Sequence, residues 1–269
     1  MRKALLSAAD AVIFDLEDSV APQGKLAARS NIPPVLGEAR DKPVFIRVNA
    51  ADTQWHLEDL AAVVRAAPEG IMLPKCDGPD AFQEAAARLD VLEAAFALPS
   101  GSIRLLPLVT ESAAALNSLN YRSAGPRLLG LGFAGEDLAA DLGVNARRAG
   151  QLNPLLDQAR RMVAIAAAAA AVPAFDTPWP VIKDPEGLGR EAKAAADLGY
   201  SGKLLIHPAQ AEMVNDIFTP SAETLHWAKS VVSAVATSEN GVALLDGKMI
   251  DIAHLRLARR YLGHATSGS

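Results

Sequence analysis

Short apolar runs alternate with longer alanine-rich segments along most of this chain, and that alternation limits the fold more than any other feature. The runs lie near residues 11–16, 44–48, 70–73, 103–109, 127–133, 171–175 and 203–206. Each is continuously apolar instead of alternating apolar with polar, so both faces of the strand are expected to be buried. Helical patterns fill the intervals, near residues 24–30, 57–66, 79–95, 111–118, 151–170 and 185–198. Strands and helices in alternation, with the strands buried on both faces, predict a parallel sheet covered by helices.

Two parallel architectures fit this pattern. A doubly wound sheet puts a glycine-rich phosphate loop after an early strand. Leu131-Gly132-Phe133-Ala134-Gly135 comes nearest and lacks the third glycine. A TIM-type (β/α)8 barrel instead gathers polar groups at the C-terminal strand ends, around one mouth. Here the strand ends carry Asp15, Glu17 and Asp18, then Arg47 and Asn49, Lys75, Glu111, Glu136 with Asp137, Asp176 and His207. The sequence therefore predicts an α/β fold of the (β/α)8 TIM-barrel type. Seven strands are found where closure needs eight. Residues 2–9 already read as a helix, so the first strand is the one expected to be lacking. Residues 1–220 read as the barrel and residues 221–269 as a C-terminal extension. The extension should hold a helix capped by Ser221, a hairpin turning at Asp246-Gly247 and a last helix near 252–262.

Composition removes several classes of function. The net charge of −5 leaves no basic footprint for nucleic acid and no basic amphipathic face for a membrane surface. The longest apolar stretch, 162–175, is mostly alanine, contains Pro173 and is too short to span a bilayer. Asp10 interrupts the N-terminal apolar run too early for a signal peptide. The single cysteine, Cys76, cannot form an internal disulfide, which fits a reducing, cytoplasmic setting. With no histidine beside it in sequence, Cys76 reads as a structural thiol before a nucleophile.

Glu111 and Asp137 lie one strand–helix unit apart, at the ends of neighbouring strands. Two hard oxygen ligands, with waters and substrate completing an octahedron, are the usual protein share of a Mg²⁺ site. First-turn acids that complement helix dipoles would look the same in sequence. Asp15-Leu16-Glu17-Asp18 crowds three acids after an apolar strand, which calls for a cation or an arginine nearby. Arg47, inside an apolar strand, needs a carboxylate partner: either a substrate's or that of Glu17 or Asp18. His207 reads as a helix cap before an acid–base group.

The run Ala9-Asp10-Ala11-Val12-Ile13-Phe14-Asp15-Leu16-Glu17-Asp18-Ser19-Val20 resembles the signature of the citrate lyase β-subunit-like family, within the wider HpcH/HpaI aldolase and malyl-CoA lyase group. The resemblance continues at Phe45-Ile46-Arg47-Val48-Asn49, Leu73-Pro74-Lys75, Glu136-Asp137-Leu138-Ala139-Ala140-Asp141-Leu142-Gly143, Gly202-Lys203-Leu204-Leu205-Ile206-His207-Pro208-Ala209-Gln210 and Asp246-Gly247-Lys248-Met249-Ile250-Asp251. It implies Mg²⁺ on Glu111 and Asp137. It implies substrate binding at Arg47, Asn49, Lys75, Ala134, Gly135 and Glu136, and catalytic roles for Arg47, Glu17, Asp18 and Asp251. In related lyases the last of these arrives from a neighbouring subunit, so a homotrimer is implied. The implied reaction is cleavage of a 3-hydroxyacyl-CoA thioester (citryl-CoA, malyl-CoA or citramalyl-CoA type) to acetyl-CoA and a 2-oxo acid.

Two departures stand out. Family members usually open with an apolar strand and a Pro-Gly loop ahead of the helix that matches residues 2–9. Phe133-Ala134-Gly135-Glu136-Asp137 also exchanges the Gly-Ala order that the family leads one to expect. Three other functions fit the same barrel: a class II aldolase acting on free 4-hydroxy-2-oxo acids, a malyl-CoA thioesterase, and a non-catalytic lyase-like subunit.

Overall fold

Four short strands, β1 (Val12–Asp15), β2 (Val44–Arg47), β3 (Gly70–Leu73) and β4 (Arg104–Pro107), pair in parallel and in chain order. Parallel bridges from Leu105 to Leu128 and from Leu108 to Gly132 carry the ladder on to β5 (Leu131–Gly132). The chain then makes a small antiparallel hairpin, β6 (Arg147–Arg148) and β7 (Gln151–Leu152), and rejoins the sheet as β8 (Ala174–Asp176) and β9 (Gly202–Lys203). This is a computed structural model that describes residues 1–38, 41–238 and 240–267. The chain forms two compact units, Met1–Val214 and Asn215–Ser269.

In the first unit α1 (Arg2–Leu5) precedes β1 and the other helices follow strands: α2 (Lys25–Leu36), α3 (His56–Val64), α4 (Pro79–Ala95), α5 (Gly135–Asp141), α6 (Pro154–Ala169), α7 (Pro185–Asp197) and α8 (Ala211–Phe218), which runs across the boundary. Seven parallel strands in sequence order are the strand order of a (β/α) barrel. Among the described residues β9 and β1 do not pair, so the ladder is not closed.

Register decides which side chains meet. Asp15, Arg47, Met72 and Leu106 form one row across four strands. Met72 and Leu106 pack with Leu108, Ala134, Phe175 and Leu204 on this inner face. Glycines make room for the large groups there. A Cβ on Gly70 would meet the Phe45 ring at 2.8 Å, and one on Gly130 would meet the Phe175 ring at 2.7 Å. Residues of the other parity, such as Phe14, Ile46, Ile71 and Leu131, are buried beneath the helices.

Three expectations fail for local reasons. Residues 111–118 form only a 3-10 turn, Ala115–Ser118, because Ala113 N–H is drawn to Asp141 Oδ2 at 2.7 Å and Ser112 to Asp77. The first long helix continues to Leu36 through Pro33 and Pro34, because Ile32, Val35 and Leu36 are buried. Asp176 is expected at the mouth, yet it follows Phe175, which faces inward, so its own carboxylate turns to the helix side. There Lys203 Nζ donates to Asp176 Oδ2 at 2.6 Å and to Glu191 Oε1 at 2.9 Å.

The second unit holds α9 (Ala222–Ala236), the hairpin β10 (Ala243–Leu245) and β11 (Lys248–Ile250), and α10 (Ile252–Ser267). Ser221 caps α9 by accepting the Thr224 N–H at 3.1 Å. Asp246 and Gly247 both have positive φ, which suits a two-residue hairpin turn. Ala228, Val231, Ile250 and Ala258 form the core, with Trp227 edge-on to Tyr261. No described helix is long and apolar enough to cross a membrane.

Removing one partner of a buried ion pair leaves the other charge stranded. Lys203→Met leaves Asp176 only Arg160 Nη1, at 3.9 Å, and should cost about 3 kcal/mol, read as a lower urea midpoint. An unchanged midpoint would show that the pair adds nothing to stability.

Candidate functional site

The C-terminal ends of β1, β2, β3 and β4 bring one cluster of charges together. Arg47 Nε donates to Asp15 Oδ1 at 2.8 Å and Nη2 to Asp15 Oδ2 at 2.6 Å, a bidentate pair between residues directly opposite in the ladder. Arg47 Nη1 stands 3.2 Å from Glu17 Oε2, and Lys75 Nζ stands 3.6 Å from Glu17 Oε1. Asp15 also accepts the backbone N–H groups of Glu17 and Ser19. Lys75 follows β3 with φ +49°, the left-handed region, which turns its backbone N–H onto Glu111 Oε2. The Lys75 side chain remains half exposed.

Three buried oxygens in this cluster, Glu17 Oε1, Glu17 Oε2 and Glu111 Oε1, have no hydrogen-bond donor. Burial pushes the Glu17 carboxyl up to about 7; Arg47 and Lys75 draw it back down, while Asp18 and Asp15 push it further up. Burial pushes Glu111 up to about 8, against the Lys75 amide and with the negative charges of Glu17 and Asp137. Asp15 behaves oppositely. Against the pull of burial, the Arg47 fork holds it down at about 2. The Asp137 charge is thus close enough to act on Glu111, as a carboxylate on a neighbouring strand end should be. Among the described residues no group of three metal-ligating His, Cys, Asp or Glu side chains converges. The oxygen donors available are two carboxylates, Glu111 and half-buried Asp137, close to Glu17.

Other residues singled out from the sequence are engaged differently. Asn49, expected to bind substrate, has its amide engaged within the fold. Lys25 Nζ donates to its Oδ1 at 2.7 Å, and its Nδ2 donates to Leu16 O at 2.9 Å and to Asp59 Oδ2 at 2.5 Å, so both Nδ2 hydrogens are spent inside the fold. Asp18 is exposed beside Glu17. The Ala134 and Gly135 N–H groups are already donated, to Thr110 Oγ1 and Thr177 Oγ1. The exchanged Gly-Ala order costs nothing in backbone strain, since Gly135 does not have positive φ. Glu136 is exposed and pairs with Arg147, whose guanidinium also grips Glu191 at 2.7 and 2.8 Å and covers the Trp179 ring. His207 Nδ1 accepts the Ala209 N–H and caps the turn that follows. Cys76 is buried, and burial pushes its thiol up to about 11, which suits a structural group.

Asp251 lies in the second unit, ahead of α10. Its Oδ1 accepts the Ala253 N–H at 2.9 Å and meets His254 Nδ1 at 2.9 Å. The His254 bond holds its carboxyl below the usual range.

Sequence reasoning did not assign Asp15 as the partner of Arg47, nor Lys25 and Thr110 as supports. Adjacency was the available signal for Thr110, which precedes Glu111. For Lys25 there was none, since its partners are backbone carbonyls and Asn49.

The chain is also similar to known proteins. The model of a family described as HpcH/HpaI aldolase/citrate lyase matches residues 1–208. The citrate lyase subunit beta of Leuconostoc mesenteroides subsp. cremoris is 30% identical over 259 residues, covering 94% of this chain and 85% of that one. A (3S)-malyl-CoA thioesterase of Cereibacter sphaeroides is 36% identical over 273 residues, covering 98% and 90%. The crystal structure of protein CitE from Mycobacterium tuberculosis, in complex with magnesium, acetoacetate and coenzyme A, superposes with a TM-score of 0.75 at 32% identity. That alignment covers 96% of this chain and 91% of the other.

The raised Glu17 carboxyl has a consequence for stability. Between the ordinary 4.5 and about 7, the folded chain keeps a proton that the unfolded chain has lost. The contribution of Glu17 is therefore full below 4.5 and is lost as pH rises through 7. Glu17→Gln cannot ionise, so its Tm relative to wild type should climb from about pH 5 to about pH 8 in metal-free protein. Parallel Tm profiles would show that Glu17 titrates normally.

Proposed function

The chain belongs to the HpcH/HpaI aldolase/citrate lyase family, and on that footing we propose that it is a Mg²⁺-dependent carbon–carbon lyase. Its substrate would be a 3-hydroxyacyl-CoA of the citryl-CoA, malyl-CoA or citramalyl-CoA type, cleaved to acetyl-CoA and a 2-oxo acid. The observation that carries this reading is the pair of buried carboxylates, Glu17 and Glu111, whose oxygens lack donors beside the Arg47–Asp15 pair.

That donor set fits a hard cation: buried carboxylate oxygens with an excess of negative charge, and no thiolate or imidazole among the site groups. Glu111 and Asp137 would hold Mg²⁺, with waters and substrate completing the shell. When bound, the ion supplies Lewis-acid polarisation of the substrate oxygens.

The chain's own residues do the rest. Asp15 takes Nε and one hydrogen of Nη2, so Arg47 keeps N–H groups on Nη1 and Nη2 for a substrate carboxylate. Lys75 Nζ adds a second positive charge near the same acids. Glu17, poised near neutrality, withdraws the hydroxyl proton. The electrons of the breaking C–C bond pass to the acetyl thioester fragment; in the condensing direction Asp251, kept ionised by the His254 bond, would take a proton from the methyl carbon of acetyl-CoA, and cleavage returns that proton by the same path. His254 leaves Asp251 Oδ2 for that exchange. In this reading residues 221–269 act as a lid, Asp251 serves a neighbouring subunit of a homotrimer, and the enzyme works in the cytoplasm.

Thioester hydrolysis is the second reading, favoured by the 36% identity to a protein named (3S)-malyl-CoA thioesterase. Products separate the two. Cleavage of malyl-CoA yields acetyl-CoA and glyoxylate, whereas hydrolysis yields free CoA and malate. We expect acetyl-CoA from at least one of the three thioesters, lost with EDTA and in Glu111→Gln. Free CoA alone would move the assignment to hydrolysis, and no turnover of any of them would favour a non-catalytic subunit.

Arg47→Lys keeps the charge but loses the planar fork. It should weaken oxaloacetate or pyruvate binding about tenfold, roughly 1.4 kcal/mol, in a calorimetric titration. An unchanged Kd would mean that Arg47 only holds Asp15 and Glu17. Mixed, exchanged Asp251→Ala and Glu111→Ala subunits should regain part of the lost activity. No recovery would point to an arm acting within its own chain.

A further inference from the structure

The two amides that open α5 are both spent on buried hydroxyls from flanking strand ends. Thr110 Oγ1 accepts the Ala134 N–H at 2.8 Å, and Thr177 Oγ1 accepts the Gly135 N–H at 3.0 Å. Thr110 immediately precedes Glu111, and Thr177 immediately follows β8. Their residual exposures are 0% and 1%, so neither hydroxyl has water as an alternative partner. The Thr110 hydroxyl also lies 3.4 Å from the Ala134 carbonyl oxygen, which ties it to both polar ends of one residue.

The fit around these bonds is tight. A Cβ on Gly135 would meet Thr177 Oγ1 at 3.2 Å and its methyl at 3.3 Å, so the loop approaches Thr177 more closely than a side chain would comfortably allow. α5 has no side-chain cap of its own, and Asp137 stands in its first turn. The start of α5 is therefore held from both sides by the neighbouring strand ends. One of these holds is made by the residue bonded to Glu111.

We propose that Thr110 and Thr177 are positioning residues that fix the spacing between the Glu111 and Asp137 carboxylates, and through it the affinity for a divalent cation. The inference rests on Glu111 and Asp137 being the cation ligands, as proposed above. Mg²⁺ demands near-ideal octahedral geometry from few protein ligands, so two carboxylates on separate strand ends must be held in register by something other than the ion. Groups that hold ligands in place typically affect metal affinity 10–100-fold when lost. Thr110 and Thr177 hold the main chain three and two residues ahead of Asp137, and Thr110 is the residue next to Glu111.

The test is calorimetric titration of Mg²⁺, and of Mn²⁺ as a tighter-binding probe, into metal-free wild type, Thr110→Val, Thr110→Ser, Thr177→Val, Thr177→Ser and Glu111→Gln. Metal-free melting curves for each variant fix a temperature at which all are folded. Valine keeps the shape and removes the acceptor; serine keeps the hydroxyl and removes the methyl. Expected are a loss of about tenfold in affinity for each valine variant, near wild-type affinity for each serine variant and no measurable binding for Glu111→Gln. Valine variants that melt lower yet bind as wild type would overturn the proposal, since the hydroxyls would then serve the fold alone. Equal losses in valine and serine variants would overturn it too. Wild-type binding by Glu111→Gln would defeat the ligand assignment, and the positioning role with it. If one valine variant does not fold, the other decides, because the two hydroxyls act from different strands.

Discussion

A guanidinium within a parallel sheet is tolerable only where a carboxylate meets it, and the Asp15–Arg47 pair meets that condition. Much of the strand-end chemistry depends on this contact. The fork fixes the direction of Arg47 and so sets where its remaining N–H groups and Glu17 can lie. Asp15 in turn accepts the Glu17 and Ser19 amides, which fixes the turn that carries the acidic run out of β1. Lys25 fastens the same turn from below, through the carbonyls of Leu16 and Glu17. The result is a buried carboxylate, Glu17, flanked by two cations yet without a hydrogen-bond donor. Such a group holds its proton near neutrality.

The parallel order of strands was legible in the sequence because continuous apolar runs report burial on two faces. β3 and α4 were legible to the residue, since Gly70, Gly78 and Pro79 mark their ends. The hairpin at Arg147–Leu152 was not. Its turn places Ala149 and Gly150 at positive φ, and alanine is a poor signal for such a turn. α5 was missed because its seven residues are too few for a helical period to register.

In the candidate site, position along the chain was legible and side-chain direction was not. Glu17, Arg47, Lys75 and Glu111 do gather, because each follows a strand whose neighbour is next in sequence. Asp176 was counted with them on strand-end position alone, and Asn49 on that position and on the family resemblance. Which face a residue takes at a strand end depends on parity and on where the strand stops, and a one-residue difference reverses it. Asp176 is set by Phe175 before it. Asn49 lies beyond the end of β2 and is claimed by Lys25 and Asp59. The Lys75 amide on Glu111 needs a left-handed backbone at a lysine, which composition does not announce.

The open ladder between β9 and β1 bears on how the chain reaches its native state. In a closed barrel the most demanding contact joins the first strand to the last, and its loop spans the whole domain. Among the described residues that contact is absent, and every parallel pair in the first unit joins strands that are next to each other in the sheet's chain order. Each pairing then closes a loop of only a few tens of residues, and the entropy of closing it grows slowly with length. The sheet can therefore assemble by successive addition, one strand–helix unit onto the last, each pairing closing a loop of similar length.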